Sequence, residues 1–142
     1  MTTKAVLWDL GNVLLDWSPR RFYEKLFRTA EEVDHFLGEV CTMDWHAAHD
    51  RGVPMAENRE HLIAKYPHYE DAIRAWETGL DGMLNGSVPG TDIVMDTLAE
   101  RGVPQYALTN LPAEWVEPVN TLYPQMAHMK DVIVSAHEGV IK

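Results

Sequence analysis

The strongest constraint on the fold lies in short apolar runs that stop at a polar residue. Lys4-Ala5-Val6-Leu7-Trp8-Asp9 is continuous and apolar, ends in an acid and is followed by Gly11-Asn12. A run without polar alternation predicts a strand buried on both faces, the usual state in a parallel sheet. Pro104–Thr109 is a second such run, centred on Tyr106-Ala107-Leu108, and Asp131–Ser135 a third, centred on Val132-Ile133-Val134. Thr91–Arg101 is amphipathic through Val94 and Leu98, with Gly102 placed to end it, and Pro112 opens a further helix that breaks near Tyr123-Pro124. Strand, helix, strand, helix, strand at this spacing implies parallel pairing with right-handed crossovers. The expected class is α/β, with a Rossmann-like parallel sheet as core.

From Trp17 to about Leu84 the texture changes to helix. Ser18-Pro19 reads as an N-cap followed by proline at the first helical position. Thr29 and Glu32 have the spacing of a capping box before Val33, Phe36 and Leu37. Further helices are expected near Trp45–Asp50, Glu57–Lys65 and Tyr69–Leu80. Gly82, Gly86, Pro89 and Gly90 then read as a hinge or linker. Residues 1–16 and 86–142 are thus assigned to the sheet core and 17–85 to an inserted all-helical cap.

Composition excludes several classes. Twenty-two acidic against 12 basic side chains leave a formal charge of −10, which argues against nucleic acid, whose binding is dominated by phosphate neutralisation. No apolar run approaches the ~18 residues of a membrane span. No signal peptide is visible, and the single cysteine, Cys41, fits a reducing compartment. The expectation is a cytoplasmic protein with no membrane partner, in which Cys41 is a buried, inert thiol.

In open α/β sheets, ligands gather at the carboxyl ends of the strands. Those ends carry Asp9-Leu10-Gly11-Asn12, Thr109-Asn110 and the stretch Ser135 to Lys142. A carboxylate, a hydroxyl, an amide and an ammonium from three distant segments suit a nucleophile with an anion cradle.

Leu7-Trp8-Asp9-Leu10-Gly11-Asn12-Val13-Leu14 resembles the first motif of the haloacid dehalogenase-like (HAD) hydrolases. Tyr106-Ala107-Leu108-Thr109-Asn110 is similar to their second motif, and Glu138-Gly139-Val140-Ile141-Lys142 to the approach to their third. The helical insert matches a cap of the C1 type, and the Asp-x-Gly-Asn-Val variant resembles the small sugar-phosphate phosphatase branch, which includes an α-glucose-1-phosphate phosphatase. The resemblance implies that Asp9 is a nucleophile that forms an aspartyl-phosphate on a small phosphomonoester. It implies Mg²⁺ on the Asp9 carboxylate and the Gly11 carbonyl, a hydroxyl contact from Thr109 and a further contact from Asn110. Lys142 would hold nucleophile and phosphate together against their repulsion.

Two departures from that pattern matter. Family phosphatases carry an acid/base aspartate two residues after the nucleophile, where this chain has Gly11. Haloacid dehalogenases lack that acid too, so a metal-independent 2-haloacid dehalogenase is the second reading, and a catalytically inactive HAD-like fragment the third. The family's fourth motif, an acidic pair completing the metal site, is not among the 142 residues. The core is therefore expected to be incomplete, activity to be impaired, and the first strand to offer an uncovered edge for self-association.

Other residues invite weaker readings. Arg20, soon after the first strand, is a candidate for binding a substrate anion, and Arg20 or Arg21 for a dehalogenase's carboxylate. His46 and His49 lie at i, i+3 with Asp50 nearby. A transition-metal site would need further ligands at recognisable spacing, so a polar helix face is the better reading. Trp45 and Trp76 read as cap core, with lining of the substrate pocket as the alternative, and Gly82–Gly90 lacks the Gly-Lys-Thr or Gly-Lys-Ser of a nucleotide loop.

Overall fold

The computed structural model describes residues 2–142. Three strands form a parallel sheet in the order β1 (Val6–Trp8), β4 (Gln105–Thr109) and β5 (Met129–Val134). Leu7 pairs with Tyr106 and Trp8 with Ala107, while Leu108 pairs with Ile133 and Thr109 with Val134. Asp9 and Thr109 therefore leave the sheet at the same edge. The crossover from β1 to β4 contains the whole cap, and that from β4 to β5 contains α8 (Val116–Leu122).

The sheet is the α/β core expected from the sequence, but its two outer strands are not buried on both faces, Ile133 of β5 being 44% exposed. β1 is an edge strand, and Leu7 is 62% exposed rather than covered on both faces. An edge strand lacks a neighbour on one side, and burial is greatest on the central strand β4, where Ala107 and Thr109 are buried. A part-buried hydrogen bond pins the β1–β4 pair, since Trp8 Nε1 donates to Gln105 Oε1 at 2.9 Å, and the buried Gln105 Nε2 donates to the Met95 carbonyl of α7 (Thr91–Glu100).

Two further strands were not legible in the sequence. β2 (Leu15–Trp17) and β3 (Leu84–Ser87) pair antiparallel, Leu15 with Ser87 and Trp17 with Leu84. The glycine-rich stretch taken as a hinge is thus a structured return strand. Alternation cannot show in pieces this short, and pairing satisfies their backbone groups. The amides of Val88 and Ser18 extend the ribbon by donating to the Leu14 and Met83 carbonyls.

Between β2 and β3 the chain is helical: α1 (Pro19–Tyr23), α2 (Ala30–His35), a π-helical turn (Phe36–Val40), α3 (Met43–Asp50), α4 (Met55–Lys65), α5 (Glu70–Thr78) and α6 (Leu80–Met83). Pro19 opens α1, but Ser18 caps it by extended backbone alone, without a side-chain bond. The capping box of α2 forms in both directions between Thr29 and Glu32. Tyr23, Val33, Phe36, Cys41, Ile73 and Trp76 fill the cap interior. Tyr23 stacks against Phe36 and Trp76, and its hydroxyl donates to the Ala72 carbonyl at 2.8 Å. Trp76 is 1% exposed and Trp45 packs against the same cluster. Cys41 is fully buried, and burial pushes its thiol pKa far up, as an inert thiol requires. No helix among the described residues is long and apolar enough to cross a membrane.

Candidate active site

The loop after β1 is shaped by local hydrogen bonds. Asn12 adopts φ 58, a left-handed conformation that Asn tolerates better than most residues. Its Oδ1 accepts from the Trp17 amide at 2.9 Å, and its own amide donates to the Leu15 carbonyl at 2.7 Å. The chain thereby turns back on itself. Asp9, Gly11 and Asn12 end up lining one cavity with Thr109, Asn110 and Lys142.

Lys142 is the pivot of this floor. Its Nζ lies 2.8 Å from Asp9 Oδ1 and donates to the Leu108 carbonyl at 2.7 Å, while its backbone amide donates to Asn110 Oδ1 at 3.1 Å. A lysine 133 positions from Asp9 in sequence thus sits against that carboxylate. Asp9 Oδ1 also accepts from the Leu10 amide at 2.8 Å, so both its donors bind the same oxygen. Thr109 is buried at the end of β4, its hydroxyl 3.4 Å from the Asn110 carbonyl. Ser135, just after β5, accepts from the Leu111 amide at 3.0 Å and ties the second strand-end loop to the third.

Arg20 is not brought to this cavity. Its guanidinium donates to Asp34 and lies 3.7 Å from Glu24, so α1 and α2 hold it on the cap exterior. These carboxylates keep its pKa above the usual arginine value. Arg21 is likewise engaged, with Asp16 at 2.8 Å and with the Met83 carbonyl at 2.7 Å.

The cap supplies the opposite wall through Trp17, Met43, His46, Asp50, Leu80 and Leu84, with Trp115 beside them. The cavity encloses about 340 Å³, near the lower end of small-molecule pockets. The α3 segment of this wall was misread from the sequence as a polar helix face. His46 is 6% exposed, His49 1% and Asp50 9%, because α3 is clamped between the aromatic cap interior and the core. Gly52, at φ 100, ends that clamp. A Cβ there would lie 2.7 Å from the Ala136 carbonyl oxygen of α9 (Ser135–Glu138), so only glycine admits this approach.

The histidines are neutral and their protons can be assigned. Burial lowers the His46 pKa to about 3 and the His49 pKa to about 4. Trp76 Nε1 only donates, and it bonds His46 Nδ1 at 3.1 Å, so the His46 proton is on Nε2. Asn58 Nδ2 lies 3.0 Å from His49 Nε2, which leaves the His49 proton on Nδ1, directed at His46 Nδ1 3.4 Å away. The His46 Nε2–H points toward Asp50 Oδ1 at 3.6 Å, too long for a hydrogen bond. Asp50 Oδ1 and Trp17 Nε1 are the two buried side-chain polar atoms without a partner among the described residues. Burial raises the Asp50 pKa to about 6, against a smaller lowering by Arg51.

No group of three or more His, Cys, Asp or Glu side chains suited to a metal occurs among the described residues. The paired histidines bond each other, Trp76 and Asn58, so their lone pairs are spent inside the protein. Asp50 in the cavity wall was noticed in the sequence only as a neighbour of those histidines. Its i, i+4 spacing from His46 was the signal, and what hid it was the absence of any apolar periodicity marking that face as buried.

Neither a family model nor a curated protein matches the chain. Solved structures do. A HAD family enzyme from Bacteroides thetaiotaomicron, in a magnesium complex, superposes with a TM-score of 0.71 at 16% identity, over 100% of this chain and 72% of that one. The wild-type form of that enzyme, in complex with magnesium and inorganic phosphate, gives a TM-score of 0.69 at 17% identity, over 99% and 73%. The chain has the HAD-like fold. At this identity the likeness concerns the backbone.

Proposed function

We propose that the protein is a phosphatase that hydrolyses a small phosphomonoester, such as a sugar phosphate, through an aspartyl-phosphate on Asp9. The observation that carries this reading is the Lys142 ammonium 2.8 Å from the Asp9 carboxylate, inside a cavity that also holds Thr109 and Asn110. Asp9 Oδ2 takes no hydrogen bond from the described residues, which leaves one oxygen for attack on phosphorus. Lys142 offsets the repulsion between carboxylate and phosphoryl group. The Thr109 hydroxyl and the Asn110 amide would bind phosphoryl oxygens. Assignment of 1–16 and 86–142 to a catalytic core and 17–85 to a cap belongs to the same reading.

A hard divalent cation fits the donors present, since Mg²⁺ uses one or two carboxylates and keeps several waters. Asp9 and the Gly11 carbonyl would hold it, and it would supply charge neutralisation at the phosphoryl oxygens. The solved HAD family enzyme in complex with magnesium and inorganic phosphate supports the same chemistry.

Dehalogenation of a 2-halo acid has less support. It wants a cation for the substrate carboxylate, and Arg20 and Arg21 are both engaged away from the cavity. Incubation with p-nitrophenyl phosphate and a panel of sugar phosphates, with and without Mg²⁺, tests the proposal. Magnesium-dependent phosphate release that Asp9→Asn abolishes is expected. Halide release without metal, or equal turnover by Asp9→Asn, would contradict it.

A further inference from the structure

We propose that Asp50, on the cap wall, is the acid that protonates the leaving alcohol. This rests on the phosphatase reading above and supplies what Gly11, at the loop position beside the nucleophile, lacks. An alkoxide is a poor leaving group and must receive a proton as the phosphorus–oxygen bond breaks. The cavity offers few sources. Among its described lining residues, the groups with exchangeable side-chain protons of acid/base strength are Asp9, His46, Asp50 and Lys142. Asp9 is the attacking carboxylate. Two of the three Lys142 protons are bound by Asp9 and the Leu108 carbonyl, which tie the ammonium to the nucleophile. His46 is neutral, and its Nε2–H is not acidic in that form. Asp50 remains.

Its surroundings suit that role. The carboxyl is 9% exposed and lacks any hydrogen bond at Oδ1, so it keeps a proton to a higher pH than an ordinary aspartate, near pKa 6. The charged or titratable side chains on the elements around it are Asp44, His49 and Arg51 on or beside α3, Glu57, Arg59, Glu60, His61 and Lys65 on α4, Glu114 before α8, and His137 and Glu138 on α9. Arg51 alone acts appreciably on Asp50, and burial outweighs it. Arg59 is held by Glu77 and Glu60, and Glu114 by the Met55 amide at 2.7 Å. The His46 ring is fixed by Trp76, and its Nε2 lies 3.6 Å from Asp50 Oδ1, beyond hydrogen-bond distance.

The reaction then balances in two steps. An Asp9 oxygen bonds to phosphorus and the phosphorus–alkoxy bond breaks. Its electron pair passes to the alcohol oxygen, which takes the Asp50 proton. In the second step the Asp50 carboxylate removes a proton from the attacking water. The water oxygen bonds to phosphorus as the bond between phosphorus and Asp9 breaks, with that electron pair returning to the Asp9 carboxylate. Phosphate leaves and Asp50 is again protonated.

The test compares leaving groups in the full chain with Mg²⁺, using glucose 1-phosphate and ethyl phosphate against p-nitrophenyl phosphate. The nitrophenolate departs without a proton. Asp50→Asn is expected to lower kcat for the alkyl esters by about 10²-fold or more. The first-turnover burst of nitrophenolate should keep its rate within about threefold, which also shows that the variant is folded, while the shared hydrolysis of the aspartyl-phosphate that follows slows for every ester. The basic limb of the wild-type pH profile for alkyl esters should disappear in the variant. Equal losses in first-turnover leaving-group release from both ester types, or no loss from either, overturns the role of Asp50 while leaving the phosphatase reading intact. A wild type that hydrolyses none of these esters overturns both.

Discussion

The two walls of the cavity are built on opposite principles. The floor, at the ends of β1 and β4, is half open. Asp9 and Lys142 have side chains 46% and 34% exposed and satisfy each other across a long sequence separation. The α3 wall is closed, with His46, His49 and Asp50 all at or below 9% exposure, and it tolerates a carboxylate oxygen with no partner. An exposed ion pair costs little to keep and contributes little to folding. A buried lone carboxyl costs stability, and such strain persists where the surrounding packing over-determines it. The floor should therefore govern chemistry with small effects on stability, and the α3 wall should couple the two.

The sharpest break of this contrast is Lys142→Met. It should lower kcat by about 10²–10³-fold, the scale of losing one transition-state charge contact. The melting temperature should hardly move, because the pair is solvated. A loss of several degrees in Tm would show that the floor is structural instead.

Gly52→Ala should do the reverse. Its φ of 100 and the Ala136 carbonyl oxygen 2.7 Å from a Cβ predict about 2–4 kcal/mol of destabilisation in urea unfolding. Because Asp50 lies two residues away, alkyl-ester turnover should fall more than aryl-ester turnover. Full stability in Gly52→Ala would refute the tight approach of α3 to α9.

Acid titration reads the same wall. His46 and His49 have folded pKa values of about 3 and 4, below their unfolded value of 6.5. The unfolded state thus binds more protons, and the stability they contribute is lost as pH falls below 6.5. Asp50 has a folded pKa of about 6, above its unfolded 3.8, and works in the opposite sense, costing stability as pH rises through that window. Between pH 4 and 6 two histidine protons oppose one aspartate proton, so unfolding free energy should fall on acidification by about 1.4 kcal/mol per pH unit. Asp50→Asn should steepen that fall and raise stability at pH 7, which urea titrations at several pH values would measure.

The smallest effect belongs to Arg20→Ala. With its guanidinium held by Asp34 and Glu24 on the exterior, the change should leave KM unchanged and stability within about 0.5 kcal/mol. A rise in KM would restore Arg20 to the site.

What the sequence made legible follows from how each wall is encoded. Strand ends are marked by apolar runs, so Asp9, Thr109 and Asn110 could be grouped before any coordinates were known. Lys142 was reachable by its place after a third run. Arg20 was misplaced because proximity in sequence says nothing of which face of α1 it occupies. The β2–β3 ribbon was missed because three- and four-residue strands carry no periodicity, and their pairing partners lie some 70 positions apart. Asp50 was seen only beside the histidines, since His-Ala-Ala-His-Asp reads as surface until Trp76 and Trp115 are brought over it.

The central claim is that Asp9 carries the phosphoryl group. Acid-quenched turnover of p-nitrophenyl phosphate with Mg²⁺, followed by peptide mass spectrometry, measures this directly. The account predicts an acid-stable, base-labile phosphoryl mass on the peptide containing Asp9, absent in Asp9→Asn. Turnover with no covalent phosphoryl group, or with one on another residue, would contradict it.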